Sequence, residues 1–421
     1  MLDLSQQTLH ELEAKCIKEQ PPAAMAACPL HVDCRGICST IAAADFNTAR
    51  ELFEKSSVFP KITSCLCEGP CQNACLRHPL GGALHLQQLE MAAVTYGTLR
   101  PKRQFLPKKA EKIAVIGAGL TGLSAALELG KKGYAVAVFE EAPLPGGWLL
   151  NNRKLPASIL EEELKKLSQY KIEIHTCHKV TSIEAFKKEF QSIFIAWVKK
   201  ETPISVHPLT RFWKDSVFAG GDAIRSEHGS VPESIADGKS SAISIDRFLK
   251  KVSLEAGRED EFSSCTNLHV KTEKTPPLSS KIIHPDSLLT KEEAIEEAER
   301  CLLCTCTDCI EACTFMKNYK SYPKKYLREI YNNLAIAMGT RHANKMINSC
   351  SLCGQCASVC PHGLDLGEVI QEARNIMVSK RKMPASAFDF ALKDMAFSNS
   401  EECFLAKNAP LIIALSSKTN Y

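Results

Sequence analysis

Residues 112–122 read KIAVIGAGLTG, and residues 135–141 read AVAVFEE. The first stretch is an apolar run, Ile113 to Ile116, that breaks into Gly117-Ala118-Gly119-Leu120-Thr121-Gly122. Helical spacing of apolar residues follows from Leu120 to Lys132, and a second apolar run, Ala135 to Phe139, ends at Glu140. Strand, glycine-rich turn, helix, strand is a βαβ unit. The glycines permit a tight turn and close approach of backbone to a pyrophosphate. The helix N-terminus offers the anion unpaired N–H groups and a favourable dipole. Glu140 lies 18 residues after Gly122, where a carboxylate binds ribose hydroxyls. The pattern predicts a Rossmann-like domain whose dinucleotide site comprises Gly117, Gly119, Leu120, Thr121, Gly122, Glu140 and the adjacent Glu141.

The α/β pattern continues with a helix Ala157 to Ser168, a strand Ile172 to His175, a helix Ile183 to Glu189 and a strand Ser192 to Ala196. Before it, Ala42 to Lys55 and Leu84 to Val94 have helical periodicity, and a basic joint at Arg100 to Lys109 separates the two sections. The whole chain has 421 residues, which at roughly 150 per domain suggests about three domains. The reading is a multidomain α plus α/β chain. It comprises a helical, cysteine-rich domain at 1–108, a Rossmann-like dinucleotide-binding domain at 109–250, a polar linker at 251–290, a second helical, cysteine-rich domain at 291–400 and a tail at 401–421; the cysteine runs and further segments read below make these a helical iron–sulfur domain, an FAD-binding domain and an α-helical ferredoxin domain.

Composition excludes several classes. The 52 basic and 48 acidic residues nearly balance, and no basic run is long enough to make a nucleic-acid stripe. The start of the chain lacks an apolar signal core, and no stretch is long enough to span a membrane. There is no HExxH, GxSxG or Walker A motif, so no catalytic residue is assigned.

The 20 cysteines are clustered: eight lie between Cys16 and Cys75 and nine between Cys301 and Cys360. A disulfide scaffold would be small and secreted, whereas clustered thiols in a long chain without a signal bind metal or do redox chemistry. Cys350-x2-Cys353-x2-Cys356-x3-Cys360-Pro361 is a complete ferredoxin run, whose first three thiolates bind one 4Fe–4S cluster and whose fourth binds another. The companion run holds Cys301, Cys304, Cys306, Cys309 and Cys313. Crossing the fourths assigns one cluster to Cys313, Cys350, Cys353 and Cys356. The other takes Cys360 and three of Cys301, Cys304, Cys306 and Cys309, with the spare thiol left open. The 36 residues between Cys313 and Cys350 exceed the separation in a small ferredoxin. They resemble the helical ferredoxin domain of heterodisulfide-reductase-like and succinate-dehydrogenase-like subunits.

Two further segments, Gly146-Gly147-Trp148 and Gly220-Gly221-Asp222, resemble the other FAD-contact segments of glutathione-reductase-like flavoproteins. In that family the helix after the second segment, here opening at Val231, points at the flavin. The resemblance implies FAD, bound also by Gly146, Gly147, Trp148, Gly221, Asp222 and Val231.

Cys28-Pro29, Phe59-Pro60, Cys67-x3-Cys71-x3-Cys75 and Leu89-Glu90 resemble the N-terminal iron–sulfur domain of the glutamate synthase small subunit and dihydropyrimidine dehydrogenase. The resemblance implies one cluster on Cys28, Cys67, Cys71 and Glu90. A second, on Cys16 and Cys75, stays open, because Ala24-Met25-Ala26 stands where another thiol is expected. Cys34, Cys38 and Cys65 are extra thiols that could substitute, and zinc is the alternative occupant.

In the resembling flavoproteins an NAD(P)H domain is inserted between the strand that here ends near Trp197 and the strand that begins at Val217. Only 19 residues, Val198 to Ser216, lie between, and a domain needs at least ~50. NAD(P)H is therefore not expected to bind directly. The expectation is an electron-transfer flavoprotein subunit of a larger complex in an anaerobe's cytoplasm. It would relay electrons between protein partners of ferredoxin, hydrogenase, formate dehydrogenase or heterodisulfide reductase type, and bifurcation is an open extension. The alternatives are an NAD(P)H-dependent oxidoreductase of the glutamate synthase type and a non-enzymatic scaffold with zinc-filled or vestigial sites.

Overall fold

The computed structural model describes residues 4–98, 107–197, 203–226, 228–258, 261–273, 275–282, 287–336, 341–382 and 389–401. Most of the basic joint, residues 198–202 and the tail beyond 401 lie outside them. The chain forms two compact units, one of residues 20–305 and one of residues 1–19 with 306–421.

The larger unit is centred on a six-stranded sheet. Its strands are β1 Lys112–Ile116, β2 Ala135–Phe139, β3 Ile172–His175, β4 Ser192–Ile195, β5 Phe212–Lys214 and β6 Val217–Ala219. The order is β3-β2-β1-β4-β6-β5. All pairs are parallel except the edge pair β5–β6. Beyond their first residues, Lys112 and Ser192, the central strands β1 and β4 are apolar because both faces are covered, as parallel sheets require. Val115 and Val138 face one core, with the helices Leu120–Lys131 and Val231–Leu249; Ala114, Ile193 and Val217 face the other. The two helices touch closely at Gly238, where an added Cβ would meet the Thr121 carbonyl oxygen at 2.5 Å. Their N-termini thus lie at the C-terminal edge of the strands, where α/β sheets bind ligands.

A helical layer of residues 20–98 completes this unit. The helices Cys34–Ala42, Phe46–Ser56, Pro60–Leu66 and Leu86–Tyr96 bury Ile37, Phe53, Ile62 and Leu89 against one another. Asp33 and Asp45 cap the first two by accepting from the N–H of Gly36 and Thr48. A late segment joins this layer. The helix Lys291–Glu299 buries Ala294 and Ala298 in the same core. The Arg300 guanidinium donates to the carbonyls of Gly81 and Gly82, while Glu297 accepts from the backbone N–H of His85 at 3.0 Å.

The smaller unit is helical. Helices Pro323–Ala335, Asn344–Ser349 and Leu366–Ser379 enclose a core of Leu327, Ile330, Ile347 and Ile370, and Leu9 of the helix Gln6–Lys15 enters it. No helix among the described residues is long and apolar enough to cross a membrane.

Candidate functional site

The glycine loop, the GGW segment and the GGD segment meet around one cavity of about 140 Å³, lined by Gly119, Leu120, Thr121, Gly122, Glu140, Gly147, Trp148, Ala196, Trp197, Asp222, His228 and Ser234. Its form follows from the glycines. An added Cβ at Gly122 would stand 2.0 Å from the Gly117 carbonyl oxygen, whereas one at Gly119 would meet nothing within 4 Å. Gly122 lets the helix start close on the Gly117 backbone, and Gly119 leaves open space for a ligand, as a pyrophosphate cradle requires. Gly147, at φ +57, brings the GGW segment to within van der Waals reach of Gly119.

Glu140 lines the cavity and also pins the loop, accepting from the N–H of Ala118 at 2.6 Å and of Ala142 at 2.9 Å. Asp222 lines it and pairs with His228 at 2.8 Å. Of the other sequence-assigned residues, Gly117, Gly146, Gly221 and Val231 are not among those that line the cavity. Glu141 points away, exposed and paired with Lys179 at 3.2 Å. Sequence reading missed Asp237, which is fully buried on the helix Val231–Leu249. It holds the GGD turn by accepting from the Gly221 N–H at 3.0 Å, and Arg211 and Arg225 neutralise it.

The cysteines are all free thiols among the described residues, and all of these but Cys65, Cys177 and Cys265 fall into four neighbourhoods. Cys28, Cys67, Cys71 and Glu90 form the first. Burial, followed by the Glu90 charge, raises the Cys67 thiol to about 12 and pushes Cys71 up as well. Burial alone raises the Glu90 carboxyl to about 8. A buried carboxyl so raised is chemically suited to an iron centre, whose charge restores the ionised form. Gly69, at φ +68, directs its N–H to the Cys67 sulfur at 3.5 Å.

Cys313, Cys350, Cys353 and Cys356 form the second, around a cavity of about 420 Å³ in the smaller unit. Leu352, at φ +58, directs its N–H to the Cys350 sulfur, and Arg374 donates to the Cys350 carbonyl at 2.6 Å.

The remaining thiols are arranged differently from the sequence assignment. Of Cys301, Cys304, Cys306 and Cys309, only the last two stand with Cys360. Counting back from Cys313 with the spacing of the complete run reaches Cys309, Cys306 and then Leu303, so the companion run lacks its first thiol. Cys16, grouped by sequence with Cys75, is instead a neighbour of Cys306, Cys309 and Cys360. Cys301 and Cys304 line a cavity with Cys34, Cys38 and Cys75. Cys65 stands apart on the helix Pro60–Leu66, its thiol raised by burial. Among the described residues no three or more Cys, His, Asp or Glu side chains close about a point as a single metal ion requires.

A nucleotide cradle and thiol neighbourhoods in one chain define an iron–sulfur redox chain with a Rossmann-like domain. Three family models match it section by section: dihydropyrimidine dehydrogenase domain II, 4Fe–4S cluster, at residues 2–99; the NAD(P)-binding Rossmann-like domain at 115–186; and the 4Fe–4S dicluster domain at 290–365. The NADPH-Fe(3+) oxidoreductase subunit beta of Geobacter sulfurreducens is 24% identical over 220 residues, 49% of this chain and 33% of that protein. The NAD-dependent dihydropyrimidine dehydrogenase subunit PreT of Escherichia coli is 25% identical over 43% of this chain and 47% of its own length. The glutamate synthase (NADPH) small chain of Bacillus subtilis is 29% identical over 35% and 32%. The chain thus spans less than half the length of each of these relatives.

Proposed function

We propose that this chain is the FAD- and 4Fe–4S-containing electron-transfer subunit of a larger redox complex, relaying electrons between protein partners. One observation carries the reading. Strands β4 and β6 pair directly, Ile193 with Val217 and Ile195 with Ala219, although a second nucleotide domain would have to be inserted between them. Among the described residues between these strands, the edge strand β5 is the one regular element. The three cavity-lining segments are those expected for FAD, and a flavin there exchanges electron pairs while 4Fe–4S clusters exchange single electrons. The residues of this chain hold such centres and set their potentials. Cys28, Cys67, Cys71 and Glu90 would bind one cluster, and Cys313, Cys350, Cys353 and Cys356 another. Cys360, Cys306 and Cys309 would serve a third. The backbone N–H groups of Gly69 and Leu352 on cysteine sulfurs stabilise the more negative, reduced form. With these centres bound, the chain would take electron pairs from one partner and pass single electrons to another.

A second reading has its own support. The matching Rossmann model is described as NAD(P)-binding, and the relatives' names carry NAD or NADPH. On that reading a pyridine nucleotide fills the single cradle. The flavin content of the purified protein separates the two, because a cradle filled by a pyridine nucleotide holds no FAD, and an anaerobic visible titration of the cofactor-replete protein tests the relay itself. Bleaching of flavin and cluster bands by dithionite but by neither NADH nor NADPH is expected. Stoichiometric bleaching by either nucleotide would overturn the relay between protein partners.

A further inference from the structure

We infer that Cys301 and Cys304 do not serve the ferredoxin run but hold, with Cys38 and Cys75, a further 4Fe–4S cluster in the N-terminal helical layer, and that Cys16 supplies the thiolate the ferredoxin run lacks. The inference rests on the reading of the chain as an iron–sulfur protein and goes beyond it in the number of centres and the origin of their ligands.

The first half stands on one cavity. Five thiols line it: Cys34 and Cys38 from the helix Cys34–Ala42, Cys75 just beyond the helix Pro70–Asn73, and Cys301 and Cys304 just beyond the helix Lys291–Glu299. Ala24, where the family resemblance leads one to expect a thiol, lines the same wall. The missing ligand position is therefore faced by thiols from elsewhere in the chain.

The local backbone at Cys301 is that of a cluster-binding turn. In Cys67-Glu68-Gly69 and Cys350-Ser351-Leu352 the third residue has positive φ and turns its N–H onto the first residue's sulfur. Cys301-Leu302-Leu303 repeats this, with Leu303 at φ 48 and its N–H on the Cys301 sulfur. A leucine in the left-handed region is strained, and such strain persists where a site requires the turn.

The charge in the cavity also fits. Arg77 is buried, lines the cavity and has its Nε without a hydrogen-bond partner. Arg35 lines it too and donates to the Cys304 carbonyl at 2.9 Å. A cubane on four thiolates carries net negative charge, and a buried unpaired guanidinium Nε is a donor awaiting such an acceptor. Cys34 is the fifth thiol. It lies near Cys301 but also near Glu90 and Cys28 of the neighbouring set, whereas the Cys38 side chain is hydrogen-bonded to Cys301 itself. We therefore assign Cys38 as the ligand.

The second half stands on the smaller unit. Cys16 ends the helix Gln6–Lys15 and packs with Cys309 and Cys360 against the core of that unit. Lys18 donates to the Cys306 carbonyl at 3.4 Å, which ties this segment to the run. The thiol absent at Leu303 is thus replaced from the N-terminal segment.

The test is iron and sulfide analysis with Mössbauer and EPR spectroscopy of the full chain, made and reconstituted anaerobically. Roughly sixteen irons per chain are expected, four per cluster. The double variant Cys301→Ala/Cys304→Ala should lose about four irons and the same spectral component as Cys38→Ala/Cys75→Ala. Cys16→Ala should lose the component that Cys360→Ala loses. The components that survive in each variant report that the chain has folded, and single Cys301→Ser, which keeps an oxygen ligand, should shift the first component rather than abolish it. The inference is overturned if Cys301→Ala/Cys304→Ala removes the component lost in Cys360→Ala. It is also overturned if about twelve irons with zinc, or with nothing, at the fourth site account for the protein. A chain that takes up no cluster would sink the proposed function itself, a different result from either.

Discussion

The backbone N–H of Gly221 donates to the carboxylate of Asp237 at 3.0 Å. This bond ties the GGD turn to the middle of the helix that follows it. Asp237 is fully buried, and Arg211 and Arg225 approach it at 2.7 and 2.6 Å from two other segments. Asp237→Ala would leave both guanidinium groups facing an empty acceptor. A loss of about 3 kcal/mol is expected, together with weaker retention of the dinucleotide. Asp237→Asn keeps an oxygen for Gly221 and should retain more dinucleotide than the alanine variant. Urea denaturation and the cofactor-to-protein ratio after gel filtration measure the two effects.

Gly122→Ala tests the cradle directly. The new methyl group would press on the Gly117 carbonyl oxygen, backbone against backbone, with no flexible side chain to yield. Overpacking of this kind costs about 1–3 kcal/mol. The variant should lose its bound dinucleotide while the EPR signals of the ferredoxin clusters persist. Undiminished flavin content would show that the cavity is not the dinucleotide site.

Asp246 carries a pH dependence. Burial alone would push its carboxyl up, but hydrogen bonds from Lys250, Lys109 and Tyr134, with Lys132 nearby, outweigh burial and hold it well below the usual range. A carboxyl depressed in the folded state stabilises the protein above its unfolded pKa of about 3.9. That contribution is lost as pH falls through the folded value. Asp246→Asn should therefore cost about 1–2 kcal/mol near neutrality and show a shallower loss of stability below about pH 4. Parallel acid limbs for the two proteins would refute the assignment.

Glu90 is expected to tune a single centre. Glu90→Gln keeps a ligand oxygen without its charge and should shift the potential and EPR signature of one cluster. Glu90→Ala should remove that cluster, about four irons, and leave the others. Redox-poised EPR of the two variants tests both expectations. Identical spectra for wild type and Glu90→Ala would exclude the carboxylate as a ligand.

Much of the fold was legible in the sequence because the central strands are short apolar runs bounded by glycine or polar turns. Ala135–Phe139 and Ile172–His175 occur as read, and Val231 opens its helix as expected. Strand β5 was not legible, because Phe212–Lys214 is an edge segment with no apolar run of its own. Asp237 reads as one more polar residue in a helix, and only the arginines arriving from residues 211 and 225 reveal its burial. The grouping of the thiols was partly legible. Counting back from Cys313 exposes the gap at Leu303, but no local spacing announces that Cys75 and Cys301 share a cavity. That juxtaposition depends on the helix Lys291–Glu299 docking on the N-terminal layer.

The same docking sets a schedule for biogenesis. The thiols of Cys38 and Cys75 emerge from the ribosome more than 200 residues before Cys301. At about 5–20 residues per second, the interval is roughly 10–45 s. Throughout it, the apolar face that will receive Ala294 and Ala298 is open, and so is the wall of cysteines beside it. The nascent layer is during that time a target for oxygen, for adventitious metals and for chaperones. A cluster on Cys38, Cys75, Cys301 and Cys304 would therefore be assembled only after synthesis of most of the chain, whereas the set of Cys28, Cys67, Cys71 and Glu90 is complete by residue 90.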